Sequence, residues 1–286
     1  MQEADLLNLI KDCCPNISLN KHQFIDIWRD YDVIIADKKT VFRIPKHTIN
    51  IEDIEREKNL IDIIAINIPN IKIPKHNIVY WKKPFVYMDC IDGDPLSKEA
   101  FNSLSQNQKN SLAKDFANLL KKLHNIHIKE FEEIWYRAWW TDISWINSMK
   151  NEIISKCWHL ISQNILKNIL NYIQELWNYN HPVKVMTHGD LKNHNVFLDR
   201  EQKSLLGIID FSNARLTDPA IDFCSFLDFW EDFVKLILKY YWWDNEIINR
   251  TQFYRKRIYL FILMDVIENK PDLIENTLEK VNEVFS

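Results

Sequence analysis

The stretch that most limits what this chain can fold into is residues 183–210, VKVMTHGDLKNHNVFLDREQKSLLGIID. It is a β-type interlude in a sequence whose pattern on both sides is helical. A run at 183–186 leads into a polar loop that holds Asp190 and Asn195. Residues 196–198 and 205–209 then read as two strands of a hairpin. Asn195 stands at the start of the first strand and Asp210 at the end of the second. In an antiparallel pair those ends are neighbours, so an amide oxygen and a carboxylate converge. Such a pair suits Mg²⁺, a hard cation that takes a few protein oxygens and keeps phosphate and water ligands.

The segment before the interlude has its own order. Residues 33–36 and 40–44 are short β-type runs joined at Asp37, Lys38 and Lys39. A helix is expected over 51–66, with Ile54, Glu57, Ile61 and Ile64 on one face. Glu57 is thus a carboxylate directed at a core. Two more strands follow at 78–81 and 85–91, so the first hundred residues read as hairpin, helix, hairpin. The turn-rich DGDPLS at 92–97 is a connector. Beyond it, Ser105 and Gln108 form a capping box. Leu112, Phe116, Leu119, Leu120 and Leu123 then make an amphipathic stripe that ends near His124. Residues 141–180 are helical, with Trp145, Ile153, Ile154, Leu160, Ile165, Ile169 and Leu170 as core candidates, and 222–286 is mostly helical.

Composition excludes several classes. The net charge of −4 speaks against a nucleic-acid partner, which calls for a basic surface. Five cysteines, two of them adjacent and none in a C-x-x-C, argue against a disulfide framework or a zinc site and for a cytoplasmic setting. The N-terminal segment lacks a signal-peptide pattern, and no apolar run reaches membrane-spanning length. Glycine occurs only at 93, 189 and 207, so each is expected where the backbone needs it. The eleven tryptophans are read as packing residues rather than sugar-stacking platforms.

H-G-D-x-x-x-x-N at 188–195 followed by I-D-F at 209–211 resembles the catalytic and metal-binding loops of the aminoglycoside phosphotransferase family. A chance match to the first motif in this length is on the order of one in a thousand. FRIPKH at 42–47, REKNLI at 56–61, GDPL at 93–96, the helix at 104–126 and DPAIDF at 218–223 extend the resemblance over most of the chain. The nearest likeness within the family is to its 2″-phosphotransferases.

The resemblance implies an α+β, bilobal protein-kinase-like fold. Residues 1–92 would form a nucleotide-binding lobe and hinge, and 93–286 a mainly helical lobe with the catalytic loop. It implies a kinase that moves the γ-phosphate of ATP or GTP to a hydroxyl of an amine-rich sugar. Asp190 would be the base, and Asn195 and Asp210 would hold Mg²⁺. Arg43, paired with Glu57, would contact the phosphates, with Asp89 and Ile91 at the nucleotide site. His188 would brace the loop, and Asp222 would accept hydrogen bonds from its backbone. Asp228, Glu231 and Asp232 share a helical face and would meet a small cationic acceptor. Lys235 offers the competing reading, a neutralised surface. A monomer without membrane or nucleic-acid partners is expected.

Two features depart from the family's pattern. Arg43 stands where many relatives have lysine, and IDIWRDYDV at 25–33, where a nucleotide-covering loop belongs, has no glycine. A looser grip on the nucleotide or a side-chain substitute such as Arg29 is expected, rather than a degraded site. The competing functions are a metabolic kinase acting on choline, ethanolamine, another amino alcohol or a sugar, and a nucleotide-binding pseudokinase. The intact Asp190, Asn195 and Asp210 disfavour the pseudokinase. H-G-D in place of H-R-D and the missing A-P-E disfavour a protein kinase.

Overall fold

The computed structural model describes residues 2–26, 31–47, 51–81, 83–131, 142–179, 183–241 and 246–286, without the side chains of 130, 142–146 and 227–230. Arg29, Trp139, Trp140, Trp242 and Trp243, and the side chains of Trp145 and Asp228, therefore lie outside the described residues.

The N-terminal part is an antiparallel sheet of five strands. These are β1 (His22–Ile25), β2 (Tyr31–Ala36), β3 (Thr40–Pro45), β4 (Asn77–Val79) and β5 (Phe85–Asp89), in the order β1-β2-β3-β5-β4. Alternation sorts its side chains onto two faces. Ile34, Phe42, Ile44 and Phe85 pack against Leu6 and Ile10 of helix α1 (Glu3–Cys13). Val86 and Met88 face Ile54 of helix α2 (Ile51–Asn67). The expected hairpin, helix, hairpin therefore lacks α1 and β1. The reason lies in β1, an edge strand whose residues are exposed or half-buried and show no alternation. The β2–β3 turn places Asp37 and Lys38 at φ of 48° and 57°, and Lys39 N donates to Ala36 O at 2.9 Å.

The rest of the chain is mainly helical. A two-residue strand β6 (Asp94–Pro95) leads to α3 (Lys98–Ser103) and α4 (Gln106–His124). The Ser105 box closes on both sides: Gln108 N donates to Ser105 Oγ at 3.3 Å, and Ser105 N donates to Gln108 Oε1 at 2.9 Å. The stripe of α4 is buried as expected and packs along α7 (Ile221–Tyr241), with Phe116 edge-on to Phe226 at 5.1 Å. Between them in sequence lie α5 (Asp142–Glu152), a π-helical turn at Ile153–Cys157 and α6 (Gln163–Asn178). Ile153, Ile165 and Ile169 are buried, but Ile154 is 41% exposed, against expectation. The wider π turn keeps Ile153 and Cys157 inward and carries Ile154 out. Leu160 and Leu170 are only half-buried. Helices α8 (Ile247–Asn269) and α9 (Ile274–Phe285) close the chain.

The interlude contains β7 (Val185–Thr187) and the hairpin β8 (Val196–Leu198) and β9 (Leu205–Ile208). An unexpected strand, β10 (Arg215–Thr217), pairs with β7. Strand β9 also ties the two parts together. Lys72 N donates to Leu206 O at 2.9 Å, and Ile208 N donates to Lys72 O at 3.1 Å. A Cβ on Gly207 would stand 2.6 Å from Lys72 O, so only glycine permits this approach. No helix among the described residues is long and apolar enough to cross a membrane.

Candidate active site

The loop after β7 is held from three sides. His188 is buried. Its Nε2 lies 3.0 Å from Ile209 O, and its Nδ1 accepts from Asp190 N at 3.3 Å. Those partners give the neutral ring with hydrogen on Nε2. From α7, Asp222 accepts from His188 N at 3.0 Å and from Gly189 N at 2.7 Å. Gly189 itself has φ of 78°, and a Cβ there would stand 2.3 Å from Asn213 O. Gly189→Ala therefore adds left-handed strain of about 1–2 kcal/mol to a backbone clash. Its thermal midpoint is expected to fall by at least about 4 °C, with loss of activity. An unchanged melting curve would show that the loop relaxes freely.

This bracing presents Asp190, whose side chain is 15% exposed. Its carboxylate meets the Lys192 ammonium at 2.9 and 3.2 Å. Sequence reasoning passed over Lys192 because it falls among the motif's variable positions. Asn195 is drawn beneath the same residue, its Nδ2 donating to Asp190 O at 2.9 Å. With that nitrogen committed, Asn195 Oδ1 is buried without a partner among the described residues. Asn195 O accepts from Ile209 N at 3.0 Å, which sets Asp210 beside it as the hairpin predicts. Asp210 has φ of 67°, and its Oδ1 accepts from Ser212 Oγ at 2.7 Å. Burial raises its pKa, yet Arg43 and Ser212 together hold it below the usual carboxylate range. An orphaned amide oxygen next to an ionised carboxylate fits a hard divalent cation.

The sheet contributes from the opposite side. Arg43 on β3 donates to Glu57 on α2 at 3.1 Å, the pair that the resemblance implies. The second guanidinium nitrogen lies 4.0 Å from Asp210 Oδ1, and the group stacks over the Tyr31 ring at 4.4 Å. Burial disfavours its charge, but Glu57 and then Asp210 outweigh that and raise its pKa. Burial also pushes nearby His76 down to about 4, so this ring adds no charge to the site. Asp89 is exposed at the end of β5, and Ile91 packs against Gly207.

Of the acidic residues expected to meet an acceptor, Asp228 has its side chain outside the described residues. Glu231 pairs with Lys235 at 2.9 Å, and Asp232, fully exposed, lies 3.9 Å from the same ammonium.

Comparison with known proteins decides the family. The sequence model of the phosphotransferase enzyme family (APH) matches residues 28–248. The chain belongs to the phosphotransferase enzyme family. Solved structures show the same fold at low identity. An aminoglycoside 2″-phosphotransferase in complex with GDP and kanamycin superposes with a TM-score of 0.86 at 18% identity, covering 99% of this chain and 98% of that one. An ADP-bound aminoglycoside phosphotransferase gives 0.76 at 20% identity over 99% and 98%. A type I macrolide 2′-phosphotransferase gives 0.70 at 19% identity over 100% and 98%. The expected α+β kinase-like fold is therefore present.

Proposed function

We propose that this phosphotransferase moves the γ-phosphoryl group of ATP or GTP onto a hydroxyl of an amine-rich, aminoglycoside-like acceptor. The observation that carries the reading is the meeting of two elements. Arg43, fixed by Glu57, reaches Asp210, which neighbours the orphaned Asn195 oxygen and the loop of Asp190. Phosphoryl transfer needs positioning and charge stabilisation more than covalent help. The acceptor oxygen bonds to γ-phosphorus as the bond to the bridging β-γ oxygen breaks. The hydroxyl proton goes to Asp190, and the nucleoside diphosphate leaves with the electron pair. Asn195 and Asp210 would hold Mg²⁺, which supplies charge neutralisation on the phosphates. Arg43 contacts the phosphates, and Asp89 and Ile91 line the nucleotide's approach. Residues 1–92 act as the nucleotide lobe and 93–286 as the acceptor-bearing lobe.

A cationic acceptor is favoured by the kanamycin-bound neighbour and by the acids that follow the catalytic loop. Asp228, Glu231 and Asp232 are assigned to it. Glu231 is the informative member, since an amine can displace Lys235 from it. Glu231→Ala is expected to raise the kanamycin KM about three- to tenfold, less at high salt, with the nucleotide KM unchanged. Unchanged acceptor kinetics would make the cluster a solvated surface. The general test is phosphate transfer from Mg-ATP and Mg-GTP to a panel of aminoglycosides and amino alcohols. Transfer confined to amino alcohols would overturn the acceptor assignment.

A further inference from the structure

We infer that Tyr241 and His124 are positioning residues for phosphoryl transfer, acting on Asp190 through Asp222. The inference rests on Asp190 being the base. Asp222 Oδ1 accepts from Gly189 N at 2.7 Å, and Oδ2 accepts from His188 N at 3.0 Å. His124 Nε2, at the end of α4, lies 2.9 Å from the same Oδ2. A carboxylate only accepts, so Nε2 carries the hydrogen. In the neutral ring His124 Nδ1 is then an acceptor, and Tyr241 Oη, at the end of α7, stands 2.5 Å from it. The phenol donates there and locks the ring in its Nε2–H tautomer. Phe223 holds the tyrosine ring edge-on at 5.2 Å.

The placement matters because of what lies next to the base. Gly189 has more backbone freedom than any other residue type would have there, and it directly precedes Asp190. Its N–H is fixed by Asp222 alone among the contacts described. Asp222 can turn about its terminal torsion unless both oxygens are anchored. Gly189 and His188 anchor it from the loop; His124 anchors it from the helical core. Tyr241, His124 and Asp222 are 4%, 8% and 1% exposed, so bulk water does not substitute for a missing partner. The chain Tyr241–His124–Asp222 thus carries the geometry of two helices to the catalytic loop through directional bonds. Apolar packing would meet the needs of stability without specifying that orientation.

The test is Tyr241→Phe, with His124→Gln and His124→Asn as a pair. Gln reaches with an amide N–H to the place of Nε2, whereas Asn reproduces only Nδ1. Transfer from Mg-GTP and Mg-ATP to kanamycin and to water is measured, with nucleotide affinity by calorimetry and imidazole ¹⁵N shifts by NMR. Tyr241→Phe is expected to lower kcat about tenfold at unchanged nucleotide affinity and KM, because a small displacement of a reacting group costs rate and not ground-state binding. His124→Gln should retain most of the rate and His124→Asn should lose it. The wild-type ¹⁵N spectrum should show His124 neutral with hydrogen on Nε2, a signature blurred in Tyr241→Phe. Wild-type kcat in both Tyr241→Phe and His124→Asn, or an imidazolium His124, would overturn the inference. So would a fall in kcat that only parallels lost stability. An active Asp190→Asn would instead overturn the assignment of the base.

Discussion

Asp190→Asn should fold and melt like the parent chain and lose nearly all transfer activity. Among the described residues the side chain makes one ion pair, to a Lys192 that is 51% exposed. A pair so solvated contributes about 0–1 kcal/mol, so its loss hardly moves the midpoint. Asparagine keeps the shape, and the bonds that fix the loop run through backbone atoms: Asp190 N to His188 Nδ1 and Asp190 O to Asn195 Nδ2. Nucleotide affinity should therefore survive. What disappears is the oxygen that accepts the hydroxyl proton, and removing such a base costs about 10²–10⁴-fold in rate. Single-turnover transfer with bound nucleotide held saturating measures this directly. A kcat near wild type would mean that another group takes the proton and that the proposed mechanism is wrong.

How much of this was legible in the sequence depended on whether a local pattern carried the information. The β8–β9 hairpin, the capping box at Ser105 and the inward direction of Glu57 each follow from spacing, because periodicity fixes which residues share a face, whereas the Arg43–Glu57 pair was implied by the family resemblance alone. The bracing of the catalytic loop by Asp222, expected from resemblance, is present in the fold. Strands β1 and β10 left no signature. Both are three or four residues long, without alternation, and owe their existence to pairing with partners already formed. Lys192 and the Tyr241–His124 link were equally silent. The first depends on a rotamer, and the second joins residues 117 positions apart. The exposure of Ile154 turned on a π turn that helical periodicity does not anticipate.

Asp210→Asn is expected to abolish most of the gain in nucleotide affinity that Mg²⁺ provides. Asparagine is the right replacement because Asp210 has φ of 67°, a region that Asn tolerates and Ala strains. The substitution keeps an oxygen for Ser212 and removes only the charge. Arg43 retains Glu57 at 3.1 Å, so the guanidinium remains paired and in place. Loss of the anionic ligand leaves the Asn195 amide oxygen and the phosphates to hold the cation, which neutral oxygens do weakly. The four affinities, wild type and variant with Mg²⁺ or with chelator, form a cycle whose non-additivity isolates the metal's contact with residue 210. Wild type should bind ATP or GTP at least about tenfold more tightly with Mg²⁺, a difference worth about 1.4 kcal/mol. In the variant the two conditions should nearly coincide. In chelator, the variant should bind no worse than wild type and slightly better, since a negative charge facing the phosphates has been removed. That inversion distinguishes a metal ligand from a residue that merely shapes the pocket, whose loss would weaken binding equally in both conditions. If Mg²⁺ strengthens binding equally in both proteins, the cation is held elsewhere, and the convergence of Asn195 and Asp210 serves the fold rather than the phosphates.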